Sequence, residues 1–461
     1  MIRNAMMALS AGSLVLASFC TCSPAVAGDA PLPAGRPAAA MTVTATTAIP
    51  VQLVKREGRW QLLRGGQPFY VRGAGGDGPA ALLAEVGGNC NRTWGADDIQ
   101  GRLDAAHRNG LAIAVGLWLG HERHGFKYDD PAMVAAQFEK IKQQVLRYKD
   151  HPAVLVWGVG NEMEGFGAGD NPKIWAAVEQ IAAFIKQVDP NHPVMTTVAE
   201  VGGKRVQSIH AYCPSVDIVG LNTYAGASSI PKRYRQNGGT KPFLITEYGP
   251  PGTWEVGRNK FGKADEATST AKAEMYKRSY EAFVAENELC LGSFAFTWGS
   301  KVEATSSWFG MLLPGGEKLE VVDYLAGQWG HPVANRCPQI KPITFEGGNL
   351  PTVHPGQTLI ATVEVEDPEH DSLTTQWVLS AELEKYTTGG DRVAAPPNYA
   401  AAIVRSETGR CELRAPEATG FYRLYAVVRD GKGGAALANA MFKVENAKAP
   451  SNRQDEPGRK K

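Results

Sequence analysis

Two glutamates in this sequence stand where acid–base chemistry could be done. His151–Gly165 reads HPAVLVWGVGNEMEG, and Lys241–Pro250 reads KPFLITEYGP. In each, an apolar run of strand length ends at a glutamate. Ala153–Val159 leads to Asn161 and Glu162, and Phe243–Thr246 leads to Glu247. Carboxylates at the carboxyl ends of two parallel strands can converge on one barrel mouth. Two carboxyl groups facing each other across a bound sugar are what glycosidic-bond cleavage requires. A lone glutamate after a strand would more simply start a helix or join a salt bridge. The matched pair carries the argument, and it makes a carbohydrate the expected substrate.

Eight strand-like segments could position that pair: Phe69–Gly73, Asn89–Thr93, Ala112–Leu117, Ala153–Val159, Pro193–Val198, Asp217–Leu221, Phe243–Thr246 and Gly292–Phe296. Helical patterns lie between them, with apolar residues three and four apart, over Asp98–Arg108, Pro131–Lys149, Asn171–Val188 and Thr268–Glu288. Eight strands alternating with helices fit an α/β fold of the (β/α)8 barrel kind, placed at residues 52–332. A doubly wound open sheet is the competitor. It would call for a phosphate-binding turn after the first strand, and Gly73-Ala74-Gly75-Gly76 lacks that spacing. From 335 to 446 the pattern changes to short runs such as Thr358–Val365 and Phe421–Val428, separated by Asp367-Pro368 and Asp430-Gly431. That pattern predicts a small all-β sandwich.

WGVGNE and ITEYG resemble the fourth- and seventh-strand signatures of clan A retaining glycoside hydrolases. The catalytic barrel of family 2, the β-galactosidase and β-glucuronidase type, is the most similar. The resemblance covers about Gly65–Trp298 and implies a (β/α)8 barrel that works without metal or organic cofactor. It makes Glu247 the nucleophile and Glu162 the acid/base, so that cleavage proceeds through a covalent glycosyl-enzyme. Asn161 then matches the residue that bonds the sugar 2-hydroxyl, and Arg92 the arginine that keeps the nucleophile ionised. Tyr224 resembles a tyrosine that bonds the nucleophile, with Asn222 beside it as a weaker match. Trp298 resembles the aromatic floor of the cleavage subsite. Trp94, Trp118, His121, Trp254 and Trp308 fall after strands, where they could line a groove for a longer chain. Glu122, Glu164, Glu200 and Glu303 lack the paired motif. The C-terminal segment resembles the Ig- or cadherin-like modules of secreted bacterial enzymes. Its acidic turns (Glu366, Asp367, Glu369, Asp371, Asp430) read more simply as solvated turns than as a calcium site. Family 2 enzymes carry such accessory domains before the barrel; here the accessory domain follows it.

Composition sets the remaining limits. Of 461 residues, 48 are basic and 47 acidic, a net charge of +1 that makes no case for nucleic acid or an anionic membrane surface. Arg3, the apolar Ala5–Phe19 and Ala25-Val26-Ala27 predict a signal peptide over 1–27, hence a secreted or periplasmic protein. Phe19 before Cys20 argues against a lipid anchor. A flexible leader is expected over 28–51 and a disordered tail over 447–461. Removal of the signal leaves Cys90, Cys213, Cys290, Cys337 and Cys411, an odd number. Cys337 and Cys411 are the candidates for a disulfide. No basic cluster singles out a uronic acid, so a neutral β-glucan or an oligosaccharide from one is the expected substrate. A transglycosylase would carry the same pair. A carbohydrate-binding surface protein with a decayed barrel would not keep the motif residues together.

Overall fold

The computed structural model describes residues 47–447 apart from 166, 287 and 387–392. The expected signal peptide, most of the leader and all but the first residue of the tail lie outside the described residues. So does the first compact unit, Met1–Ala45; everything below concerns the second, Thr46–Lys461.

Eight parallel strands close into a barrel: β4 Val71–Gly75, β5 Cys90–Arg92, β6 Ala112–Leu117, β7 Val154–Asn161, β8 Val194–Ala199, β9 Ile218–Asn222, β10 Phe243–Tyr248 and β11 Cys290–Phe296. All eight expected strands are present, most displaced by one or two residues at their ends. A helix follows each strand: α1 Ala80–Glu85, α2 Gln100–Arg108, α3 Pro131–Tyr148, α4 Pro172–Val188, α5 Arg205–Tyr212, α6 Ile230–Gln236, α7 Ser269–Ala285 and α8 Glu320–Gln328. The long helices start where side chains cap them. Asp130 accepts from Ala132 N and Met133 N ahead of Pro131, Asn171 from Lys173 N ahead of Pro172, and Thr268 from Ala271 N.

Three strands missing from the sequence-based reading precede the barrel. β1 Val51–Arg56, β2 Arg59–Arg64 and β3 Gln67–Phe69 form an antiparallel sheet. The β1–β2 turn has positive φ at both Glu57 and Gly58, as a two-residue hairpin turn requires. Val51 and Leu62 join Val71, Cys90, Ala112, Leu155, Ile218, Leu244 and Phe294 in one apolar cluster. The sheet therefore covers the end of the barrel where the strands begin, opposite the glutamates.

After α8 the chain builds two larger sheets and a short two-stranded one, Gln339–Ile340 with Val365–Glu366. Thr374–Ala381, Gly420–Arg429 and Gly434–Val444 pair antiparallel. Thr344–Phe345, Thr358–Thr362, Arg410–Arg414 and Ile403–Ser406 form the other of the two larger sheets. Leu359, Ala361, Leu413, Leu424, Ala426, Val428, Ala438 and Phe442 share one core between them, so the C-terminal region is an all-β sandwich. The outer face of its larger sheet is not left to solvent: Tyr425, Ala435 and Leu437 belong to the barrel's main core. Both faces are buried, which is why Phe421–Val428, expected as an alternating stretch, is instead buried along most of its length, Arg423 included.

The Cys337–Cys411 disulfide is not formed. All five cysteines among the described residues are buried free thiols. Cys337 sits at the junction with the barrel, its Sγ 3.2 Å from Lys318 O, while Cys411 lies inside the sandwich. Of the two, only Cys411 belongs to the sandwich core. The acidic turns are occupied from within: Asp367 accepts from Glu369 N and Asp371 N, Glu369 pairs with Arg336, and Asp371 accepts from Asn335.

Candidate active site

The two glutamates meet at the open end of the barrel. Glu247 lies within β10, is 6% exposed, and receives three donors. Arg92 Nη1 (2.8 Å) and Trp94 Nε1 (2.7 Å) bond Oε1, and Tyr224 Oη (2.8 Å) bonds Oε2. A carboxylate only accepts when ionised, and this cradle supplies only donors. Arg92, at the end of β5 and 3% exposed, also donates from Nη2 to Asn161 Oδ1 at 2.7 Å and from Nη1 to Thr246 O at 2.9 Å. Burying that guanidinium is tolerable because it is both paired and hydrogen-bonded.

Glu162 follows β7 directly, its backbone at φ +54° and its N–H bonded to Thr197 O of the neighbouring strand at 2.9 Å. A non-glycine residue with positive φ marks local strain, held here by the surrounding strands. Asn222, at the end of β9, donates from Nδ2 to Glu162 Oε1 at 2.6 Å and to Asn161 Oδ1 at 3.1 Å, while its own Oδ1 accepts from Thr246 Oγ1 at 2.7 Å. Burial first, and then the charge of Glu247, pushes the Glu162 carboxyl up to about 8; the Asn222 bond pulls the other way. The pair thus consists of one carboxyl group that holds its proton near neutrality and one set among three donors, the division of labour that acid-assisted displacement needs. Asn161 spends its Oδ1 on Arg92 and Asn222, which leaves its amide nitrogen as the donor for a ligand.

Of the residues read from sequence, Glu162, Glu247, Asn161, Arg92, Asn222 and Tyr224 form one hydrogen-bonded network. Burial, then the charge of Glu247, raises the Tyr224 hydroxyl well above its ordinary value, so it remains a donor. Trp298 lines the cleft but is 1% exposed, with Nε1 given to Pro79 O at 3.1 Å. Phe296, which the sequence-based reading missed, also lines the cleft; its centroid lies 5.7 Å from that of Trp94 and 6.1 Å from that of Tyr224, the two rings that bond Glu247. Trp94 was expected only as groove lining and instead bonds Glu247. Its place in NRTWG, two residues after Arg92, was the available signal.

Around the pair opens a cleft of about 1130 Å3. Trp118 (42% exposed) and Trp254 (48%) line it, and Trp118 stacks on the buried His121 at 4.9 Å. Trp308 is buried and bonds Pro251 O. Two of the cleft's cations are already matched, Lys301 by Glu303 at 2.6 Å and Arg205 by Glu164 at 2.9 Å. Glu200, also at the rim and at φ +63°, is held by Thr223 and Arg233. Glu122 is exposed and accepts from Asn171.

Residues 104–284 match the TIM barrel domain of the glycosyl hydrolases family 2. Over that segment the barrel is similar to the family 2 catalytic domain. A curated protein named "Probable mannan endo-1,4-beta-mannosidase C", from Aspergillus terreus (strain NIH 2624 / FGSC A1156), is 26% identical over 172 residues, covering 32% of this chain and 41% of that protein. A beta-D-glucuronidase structure from Dictyoglomus thermophilum aligns at 16% identity with a TM-score of 0.48, over 61% of this chain and 53% of that one. A Bifidobacterium dentium beta-glucuronidase complexed with coumarin-3-O-glucuronide aligns at 18% identity with a TM-score of 0.47, over 61% and 49%. The chain therefore spans less than half the length of that curated relative and about half that of these solved structures. The matched segment contains Asn161, Glu162, Asn222, Tyr224 and Glu247, whereas Arg92 and Trp94 precede it.

Proposed function

We propose that this chain is a retaining glycoside hydrolase that cleaves β-linked chains of neutral sugars by double displacement. The observation that carries the reading is Glu247 set among Arg92, Trp94 and Tyr224 beside a Glu162 that keeps its proton. In the first step Glu247 attacks the anomeric carbon while Glu162 gives its proton to the departing glycosidic oxygen. Loss of the Glu247 charge on glycosylation removes one cause of the raised Glu162 value. Glu162 then takes a proton from water, which attacks the anomeric carbon and releases Glu247. Asn161 donates to a sugar hydroxyl in the subsite where attack occurs.

Two features support a neutral, extended substrate. Lys301 and Arg205, which line the cleft, are already paired with the carboxylates of Glu303 and Glu164. Trp118 and Trp254 supply flat apolar faces suited to the CH faces of several successive rings.

The test is product analysis of the full-length protein against β-glucans, xylan, galactan and mannan, the last being the substrate in the Aspergillus relative's name. Glu247→Ala is run in parallel, and the anomeric form of the first product is read by NMR. Retained configuration and no turnover by the variant support the reading. Inverted products, or equal turnover by the variant, overturn it; products longer than the substrate identify transfer to sugar rather than to water.

A further inference from the structure

Two loops wall the cleft on one side. The β10–α7 loop (249–268) carries Trp254 and Glu255, and the β11–α8 loop (297–319) carries Lys301, Glu303 and Leu312–Gly316. Neither is held by the barrel alone. Lys318–Leu319 pairs parallel with Gly434–Ala435, so the second loop ends as a strand of the C-terminal sheet, and Glu317 pairs with Arg429 at 2.5 Å. The first loop is gripped from the sandwich side: Lys263 Nζ donates to Leu383 O and Glu384 O (2.5 and 2.8 Å), and Arg423 Nη2 donates to Ala264 O (3.2 Å).

Arg423 is the centre of this grip. It pairs with Glu382 at 2.6 Å, both side chains being 2% exposed. Its Nη1 donates to Asn439 Oδ1 (2.6 Å); Asn439 Nδ2 donates to Glu266 Oε2 (2.7 Å); and Ser307 Oγ donates to Glu266 Oε1 (2.9 Å). Glu266 also pairs with Lys272. A hydrogen-bonded chain thus runs from the sandwich through the first loop to the second. Beside Ser307, Trp308 and Phe309 pack with Phe296, and Tyr224, Val256 and Tyr386 pack on that cluster. A buried ion pair is weak evidence for stability, since apolar residues can replace it at little cost. Geometry is what it supplies here.

We infer that the C-terminal sandwich is a positioning part of the cleft, with Arg423 as the positioning residue that holds the Trp254 loop in its substrate-binding conformation. The kinetic half of this inference rests on the proposed glycosidase reading; the structural half does not. The test compares the full-length protein with Glu382→Gln/Arg423→Met, which removes both buried charges together, and with Lys263→Met at the half-buried rim, where unfolding is not at issue. Hydrogen exchange should accelerate at least tenfold in peptides spanning 250–266 in both variants, with 112–117 and 154–161 unchanged. KM for an oligosaccharide should rise about tenfold while kcat on a short aryl glycoside stays within about threefold. A lower melting temperature with unaltered loop exchange and unaltered KM would make the network purely structural and overturn the inference. Accelerated loop exchange in a protein whose wild type cleaves no glycoside leaves the positioning role standing and sinks the glycosidase reading instead.

Discussion

Glu162 carries the pH behaviour of the site. With its carboxyl raised to about 8, the acid form is populated at neutral pH, and kcat/KM should fall on a basic limb near that value. Asn222→Ala deletes the bond that lowers Glu162, so the limb should move to higher pH, with kcat falling about tenfold as the carboxyl loses its orientation. Glu162→Gln should cost about 10²–10⁴ in kcat on unactivated glycosides and much less on substrates whose leaving group needs no proton. Its stability should move the other way. A glutamate raised from 4.5 makes the folded state bind the extra proton between about pH 4.5 and 8, so its contribution to stability is lost as pH rises through that window. At pH 7 Glu162→Gln should therefore melt higher, by on the order of 1 kcal/mol once partial solvent access is discounted, and the gain should vanish below about pH 4. Thermal melts at pH 4 and 7 check the sign. Glu162, Glu247, Arg92 and Asn161 were legible because each sits in a short motif at a strand end. The bond from Trp94 to Glu247 was not, because it joins β5 to β10 across the barrel.

At the scale of elements, close packing between neighbouring strands sets the site. Gly116 in β6 has no room for a side chain: a Cβ there would lie 2.3 Å from Thr93 O and 2.6 Å from Trp94 C, all backbone. Gly116→Ala must push the end of β5 aside, and with it Arg92 and Trp94. The expected result is a loss of about 1–3 kcal/mol in denaturant unfolding and a fall in kcat out of proportion to it. Asp130→Ala, which removes the α3 cap at a residue outside the cleft lining, should cost about 1 kcal/mol and leave kcat unaltered, separating stability from positioning. The barrel strands and long helices were readable from periodicity and caps. The β1–β2 hairpin was overlooked although Glu57-Gly58 between two alternating runs marks it, since VQLVKR and RWQLLR are weakly apolar and gain their burial only from the barrel end they cover.

The whole molecule behaves as barrel and sandwich fused through a common sheet. Tyr425, Ala435 and Leu437 bury into the barrel core, and Lys318–Leu319 extends the sandwich sheet into a cleft loop. A single calorimetric transition is expected for the full-length protein, rather than the separate melts of a domain on a spacer. Two resolved transitions, the barrel surviving the first with full activity, would contradict this coupling.

Local pattern by itself determined the two glutamates at the ends of apolar strands, the eight-stranded barrel and the all-β character of the C-terminal region, because strand-length apolar runs, helix caps and motif residues at strand ends are written in consecutive residues. Tertiary structure alone decided that the Trp94 indole bonds Glu247, that Cys337 and Cys411 stay apart, how far Glu162 is raised, and that the sandwich sheet is buried on both faces. Each of those depends on groups brought together from distant parts of the chain, where burial and charge act through space and no spacing along the sequence records them.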